Sequence, residues 1–114
     1  LCTNKPEKHA RELLKRLGLI DFFENSFIGS DTVGIAKPDA KPLLEAIYRL
    51  DKQPEDVFFV GDTNTDEDAA KNAKVEFIFC EYGHGSIYKL AKGESAIIKI
   101  ETFKDLINIY KDKP

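Results

Sequence analysis

Val57-Phe58-Phe59-Val60-Gly61-Asp62-Thr63-Asn64-Thr65-Asp66 is the stretch that decides the fold. Four apolar residues are enough for a buried strand, and they end abruptly in Gly-Asp and a polar turn. Directly behind the turn, Glu67-Asp68-Ala69-Ala70-Lys71 reads as the first turns of a helix. A strand that runs through a short polar loop into a helix is the building unit of a parallel α/β sheet. In such sheets the loop at the carboxyl end of a strand is where ligands bind. Asp62 and Asp66, with only small polar residues between them, suit a hard cation such as magnesium. Carboxylates at a buried strand tip lose hydration, and a bound cation compensates for that loss.

The same alternation extends outward in both directions, without repeats or low-complexity linkers. Leu1-Cys2-Thr3 looks like the end of a strand and opens without methionine, so an upstream segment is expected. Asn4 can cap a helix, with Glu7 three residues on as in a capping box. Ala10, Leu13, Leu14 and Leu17 give that helix its apolar stripe, and Gly18 its stop. Ile20 to Phe23 reads as an apolar connector and Ser26 to Gly29 as a brief strand. A loop with Gly34, Lys37 and Pro38 leads to a second helix capped by Asp39, with Pro42 tolerable in its first turn. Its core face is Leu43, Leu44, Ile47 and Leu50. The helix at about 66–73 buries Ala69, Ala70 and Ala73, small residues that let it lie close to a sheet. Val75 to Cys80 and Ala96 to Ile100 read as strands. Thr102 can cap a closing helix with Phe103, Leu106, Ile107 and Tyr110 on one face. The fold class is therefore α/β: one domain over residues 1–114, a mainly parallel sheet with helices on both sides.

Composition narrows the function. With 17 basic against 20 acidic residues and a net charge of −3, the chain lacks the basic surplus of a general nucleic-acid binder. No apolar run approaches the roughly 20 residues a bilayer span requires, and no basic-then-apolar signal segment opens the chain. Cys2 and Cys80 match no zinc or redox spacing, and buried free thiols point to a reducing, cytoplasmic setting.

Chemistry concentrates at the strand ends: Thr3-Asn4, Lys37-Pro38, and Asp62 with Asp66. A hydroxyl, a fixed cation and a carboxylate–metal pair are what phosphoryl transfer requires, because charge spreads over the phosphoryl oxygens in the transition state. Taken singly, each residue has a plainer reading. Thr3 can merely precede a helix, Lys37 can be a solvated loop lysine, and Asp66 can be a helix cap. Asn64 can simply shape its turn. His9 lies among charged neighbours on a helix. His84, between two glycines in Tyr82-Gly83-His84-Gly85, is either a substrate contact or plain surface loop.

In type and order these elements resemble the haloacid dehalogenase superfamily of phosphohydrolases, in its phosphoglycolate-phosphatase-like branch. The resemblance implies a Rossmann-like three-layer α/β/α sandwich. It also implies roles: Thr3 as the hydroxyl of the second motif, Lys37 as the lysine of the third, and Asp62 as the Mg2+ ligand of the fourth. Asp66 would hydrogen-bond or assist beside the metal, and Thr3, Asn4 and Lys37 would grip the phosphoryl oxygens of a small phosphorylated metabolite. The family's first motif, Asp-x-Asp at the end of a central strand, is not found; Asp66-Glu67-Asp68 is the chain's Asp-x-Asp, and it opens a helix. Nor is there the usual helical cap. By the resemblance, the first central strand is lacking between the strand ends at Thr3 and Asp62, which leaves open backbone edges and an apolar slot. A missing N-terminal segment or a complementing chain carrying the nucleophile is then expected, and these 114 residues alone should not turn over. A phosphomutase of the same superfamily, and a non-catalytic metal- or phosphate-binding or docking fragment, are the alternatives. Lys74 stands where relatives commonly place Gly before the next strand.

Overall fold

The computed structural model describes residues 1–23, 26–81 and 98–112. In chain order the elements are α1 (Glu7–Arg16), α2 (Ile20–Phe23), α3 (Ala40–Arg49), a 3-10 turn (Pro54–Asp56), β1 (Phe58–Gly61), α4 (Asn64–Ala73), β2 (Glu76–Cys80), β3 (Ile98–Ile100) and α5 (Asp105–Asp112). The strands form one sheet in the order β1-β2-β3. Both pairings are parallel, with Phe59 opposite Phe77, Val60 opposite Ile78, and Ile78 opposite Ile98. A single parallel bridge between Cys2 and Ile28 stands apart from this sheet.

Side chains alternate across a strand, so β2 serves two cores. Phe77 and Phe79 join Leu43 and Ile47 of α3 and Ala70 and Ala73 of α4 on one face. Ile78 and Cys80 join Ile100 on the other, where Leu106 and Ile109 of α5 cover them. Helices thus lie on both faces, the three-layer arrangement of a Rossmann-like fold. Ala69 and Ala70 are fully buried, as a helix lying close to the sheet requires.

Local chemistry sets most boundaries. Leu17 closes α1, and Gly18 turns the chain at φ +70°. Asp39 caps α3 by accepting the Lys41 N–H at 2.8 Å. Lys74 takes the left-handed conformation at φ 59° after α4, the position a glycine would fill at less conformational cost.

Several expectations are corrected. The Asn4–Glu7 capping box does not form, because α1 starts behind Pro6 without a side-chain cap of its own. Asp31, from a distant loop, accepts the Glu7 N–H at 2.8 Å instead. The strand expected at Ser26–Gly29 shrinks to the Cys2–Ile28 bridge, and Ile20–Phe23 is a short helix. Leu44 and Leu50 are exposed, so the buried face of α3 is Pro42, Leu43, Ala46 and Ile47. On α5, Leu106 and Ile109 face the core, whereas Ile107, and Phe103 just ahead of the helix, are exposed. The Tyr110 side chain, the loop 82–85 and residues 96 and 97 of the expected last strand lie outside the description.

Among the described residues the sheet stops at β1. Between β1 and the Cys2 bridge opens a cavity of about 490 Å3, lined by apolar side chains including Leu1, Cys2, Phe58, Val60, Leu50 and Phe103. An apolar slot is expected beside the strand that ends at Asp62, and this cavity lies there.

Candidate active site

The site assembles beyond the carboxyl end of β1. Gly61 ends the strand, Asp62 and Thr63 make the turn, and α4 begins at Asn64. Thr63 and Asp66 form a capping box, with the Thr63 Oγ1 accepting the Asp66 N–H at 3.4 Å. This fixes Asp66 under the loop. Its Oδ2 accepts the N–H of Asp62 at 3.2 Å, the N–H of Thr63 at 3.3 Å and the Thr63 hydroxyl at 3.1 Å.

The other oxygen of Asp66 meets Lys37. Nζ donates to Oδ1 at 2.6 Å, and the two side chains are only 9% and 10% exposed. Lys37 Nζ also donates to the Cys2 carbonyl at 3.0 Å and lies 5.3 Å from the centroid of the Phe59 ring. An ammonium carries three N–H groups. Two are committed to the protein, and the third makes no hydrogen bond to the described residues. A buried lysine needs this partnership, since an unpaired charge would be costly to desolvate.

Asp66 therefore accepts from four donors, three on Oδ2 and one on Oδ1. It orients Lys37 and the Asp62 turn. Of its two sequence readings, the helix cap is met by the capping box with Thr63. Asp62, at the head of the turn, is half-buried. Among the described residues no group of three or more His, Cys, Asp or Glu could hold a metal ion. A single carboxylate still fits Mg2+, which is commonly held by one or two carboxylates together with waters and substrate phosphate oxygens.

Thr3 sits at the end of the Cys2 bridge, donating its N–H to Ile28 O at 2.9 Å. Its Oγ1 accepts the Lys5 N–H at 3.2 Å. Asn4 is turned toward Lys37. Its Oδ1 accepts the Lys37 N–H at 3.0 Å and its Nδ2 donates to the Lys37 carbonyl at 3.2 Å. Thr3, Asn4, Lys37, Asp66 and Asp62 are thus brought together, although they come from separate segments. His9 is exposed on α1, away from this network, and His84 lies outside the described residues.

Three contributors were not assigned a role from sequence. Thr63 could have been found from the Thr-x-x-Asp spacing, which is a capping-box pattern. Gly61 is fixed by packing, because a Cβ there would lie 2.4 Å from the Asp66 Cβ. Asn72 of α4 donates to the Pro38 carbonyl at 2.8 Å, a tertiary contact without a local signal. Burial pushes the Cys2 thiol pKa up, partly opposed by the charge of Lys37.

Comparison with known proteins identifies the family and the fold. A family model described as haloacid dehalogenase-like hydrolase matches residues 1–74. Phosphoglycolate phosphatase of Rhodospirillum rubrum is 40% identical over 84 residues, covering 74% of this chain and 34% of the relative. That of Salmonella typhimurium is 36% identical over 107 residues, covering 94% of this chain and 42% of the relative. The chain therefore spans less than half the length of these curated relatives. Among solved structures, a predicted phosphoglycolate phosphatase from Haemophilus somnus superposes with a TM-score of 0.81 at 27% identity, covering 96% of this chain and 48% of that one. A superfamily hydrolase from Ehrlichia chaffeensis gives 0.76 at 27% identity, covering 95% and 46%.

Proposed function

This chain belongs to the haloacid dehalogenase-like hydrolases, and from that premise we propose that it is the phosphate-gripping part of a magnesium-dependent phosphatase acting on a small phosphomonoester. The observation that carries the reading is the Lys37 ammonium, clamped at 2.6 Å on Asp66 with one N–H left over, beside Asp62 and Thr3. The leftover N–H of Lys37, the Thr3 hydroxyl and the second amide N–H of Asn4 would take up phosphoryl oxygens. Asp62 would hold Mg2+, which when bound neutralises charge on those oxygens. Preorganised donors of this kind stabilise the transition state without reorganising during the reaction.

The nucleophile would come from outside these 114 residues, on a strand filling the cavity between β1 and the Cys2 bridge. An Asp carboxylate oxygen there would bond to phosphorus as the ester oxygen departs and takes up a proton. Water would then attack the aspartyl-phosphate, releasing inorganic phosphate and restoring the carboxylate. The names of the relatives make phosphoglycolate the first substrate to try. A cytoplasmic location belongs to the same proposal; among the described residues no helix is long and apolar enough to cross a membrane.

The test is phosphate release from phosphoglycolate and other small phosphomonoesters by the full-length protein, with Mg2+ and with EDTA. Release that needs Mg2+ supports the phosphatase. Isomerised phosphoester without free phosphate would identify a phosphomutase, and no turnover would favour a non-catalytic binding role.

A further inference from the structure

Two asparagine side chains from different elements close on the segment that carries Lys37. Asn4, behind the Cys2 bridge, takes both main-chain groups of Lys37, its N–H at 3.0 Å and its carbonyl at 3.2 Å. Asn72, near the end of α4, takes the next carbonyl, Pro38 O, at 2.8 Å. Pro38 has no N–H of its own with which to brace the turn. Downstream, the Asp39 N–H donates to Ala36 O at 3.2 Å, and the Asp39 carboxylate starts α3. The main chain at 37–38 is therefore held chiefly by these two amides.

We propose that Asn4 and Asn72 are positioning residues for Lys37, fixing the main chain from which its ammonium reaches Asp66 and the Cys2 carbonyl. A lysine stem is flexible and its ammonium is a point charge, so the base of the stem must be set for the tip to be placed. Sequence reading gave Asn4 to the phosphoryl oxygens. The geometry gives most of its hydrogen-bonding capacity to Lys37 and adds Asn72, which a phosphate role would not explain. The kinetic consequence rests on the phosphatase reading, but the placement of the ammonium does not.

The first measurement is therefore made on the chain without turnover. In protein labelled with 15N-lysine, the Lys37 ammonium signal, identified by its loss in Lys37→Met, should exchange slowly with water. In Asn72→Ala and in Asn4→Ala the signal should shift and exchange severalfold faster, while backbone amides of β2 keep their protection. Asn72→Gln, which retains the donor on a longer stem, should fall between. If an alanine variant unfolds, Asn72→Gln and Asn4→Ser are read in the same way. An unchanged Lys37 signal in the folded variants overturns the proposal, as does the lack of a slowly exchanging Lys37 ammonium in the unsubstituted chain. In the full-length enzyme Asn72→Ala should lower kcat about tenfold with KM nearly unchanged, since small misplacements of a catalytic group cost rate steeply. An inactive full-length enzyme would sink the phosphatase reading and leave the ammonium result standing.

Discussion

Lys37 and Asp66 stand 29 residues apart in sequence, yet their Nζ and Oδ1 lie 2.6 Å apart with both side chains about nine-tenths buried. Removing one partner strands a buried charge, which costs about 3–5 kcal/mol. Asp66→Ala should therefore lower the urea midpoint strongly, since it also removes the acceptor for the Asp62 and Thr63 N–H groups. Lys37→Met placed on top of it should cost much less than it does alone. Additive losses in this double-mutant cycle would show that the pair is not coupled.

Gly61→Ala tests how tightly that carboxylate is packed. The added methyl would lie 2.4 Å from the Asp66 Cβ and 2.6 Å from its Oδ2. Neither the strand end nor the capping box can yield cheaply, so a loss of about 1–3 kcal/mol is expected by denaturant unfolding. The slow exchange of the Lys37 ammonium should be lost with it. A neutral substitution would mean that the turn relaxes freely.

Acid sensitivity should appear at the start of α5. Asp105 accepts the N–H groups of Glu101 and Thr102, each at 3.1 Å, and these bonds hold its pKa below the ordinary 3.8. A carboxylate with a lowered folded pKa contributes stability that is present above its unfolded value and is lost as pH falls through the folded one. Amide protection in α5 should thus decline below the ordinary carboxylate range. Asp105→Asn should remove this part of the pH dependence, and an unchanged profile would argue against the cap.

Cys2 reports on the cavity. Burial raises its thiol pKa above the ordinary 9.0, so at pH 8 it should react with iodoacetamide more slowly than in the urea-unfolded chain. By the same linkage its contribution to stability is present below that ordinary value and is lost as pH rises through the folded one. In a longer protein whose added strand fills the slot beside β1, alkylation should slow further. Equal rates in the folded and unfolded chain would mean that Cys2 is not enclosed.

Much of this could be read from the residues. The apolar run before Gly61-Asp62 gave β1, and Ala69, Ala70 and Ala73 gave the buried face of α4. Local patterns carry such elements because side-chain period and turn chemistry are local. The helix start at Asn4 misled for the opposite reason. Its amide is spent on Lys37, 33 residues away, and the cap of α1 comes from Asp31, 24 residues beyond Glu7. The strand at Ser26–Gly29 lost its length because the Cys2 segment pairs with it only at Ile28. Among the site residues, Lys37 and Asp62 were visible as types at strand ends. That Asp66 pairs with Lys37 is a tertiary fact.

The central claim is that Asp62 and Lys37 serve phosphoryl transfer in the full-length protein. Its most direct test is release of inorganic phosphate with Mg2+ present, comparing the unsubstituted protein with Asp62→Asn, a substitution that keeps shape and removes charge. The account predicts Mg2+-dependent release that falls at least a hundredfold in Asp62→Asn, on the order of the loss when one transition-state stabiliser is removed, with the fold unchanged by circular dichroism. Full activity in Asp62→Asn would contradict it.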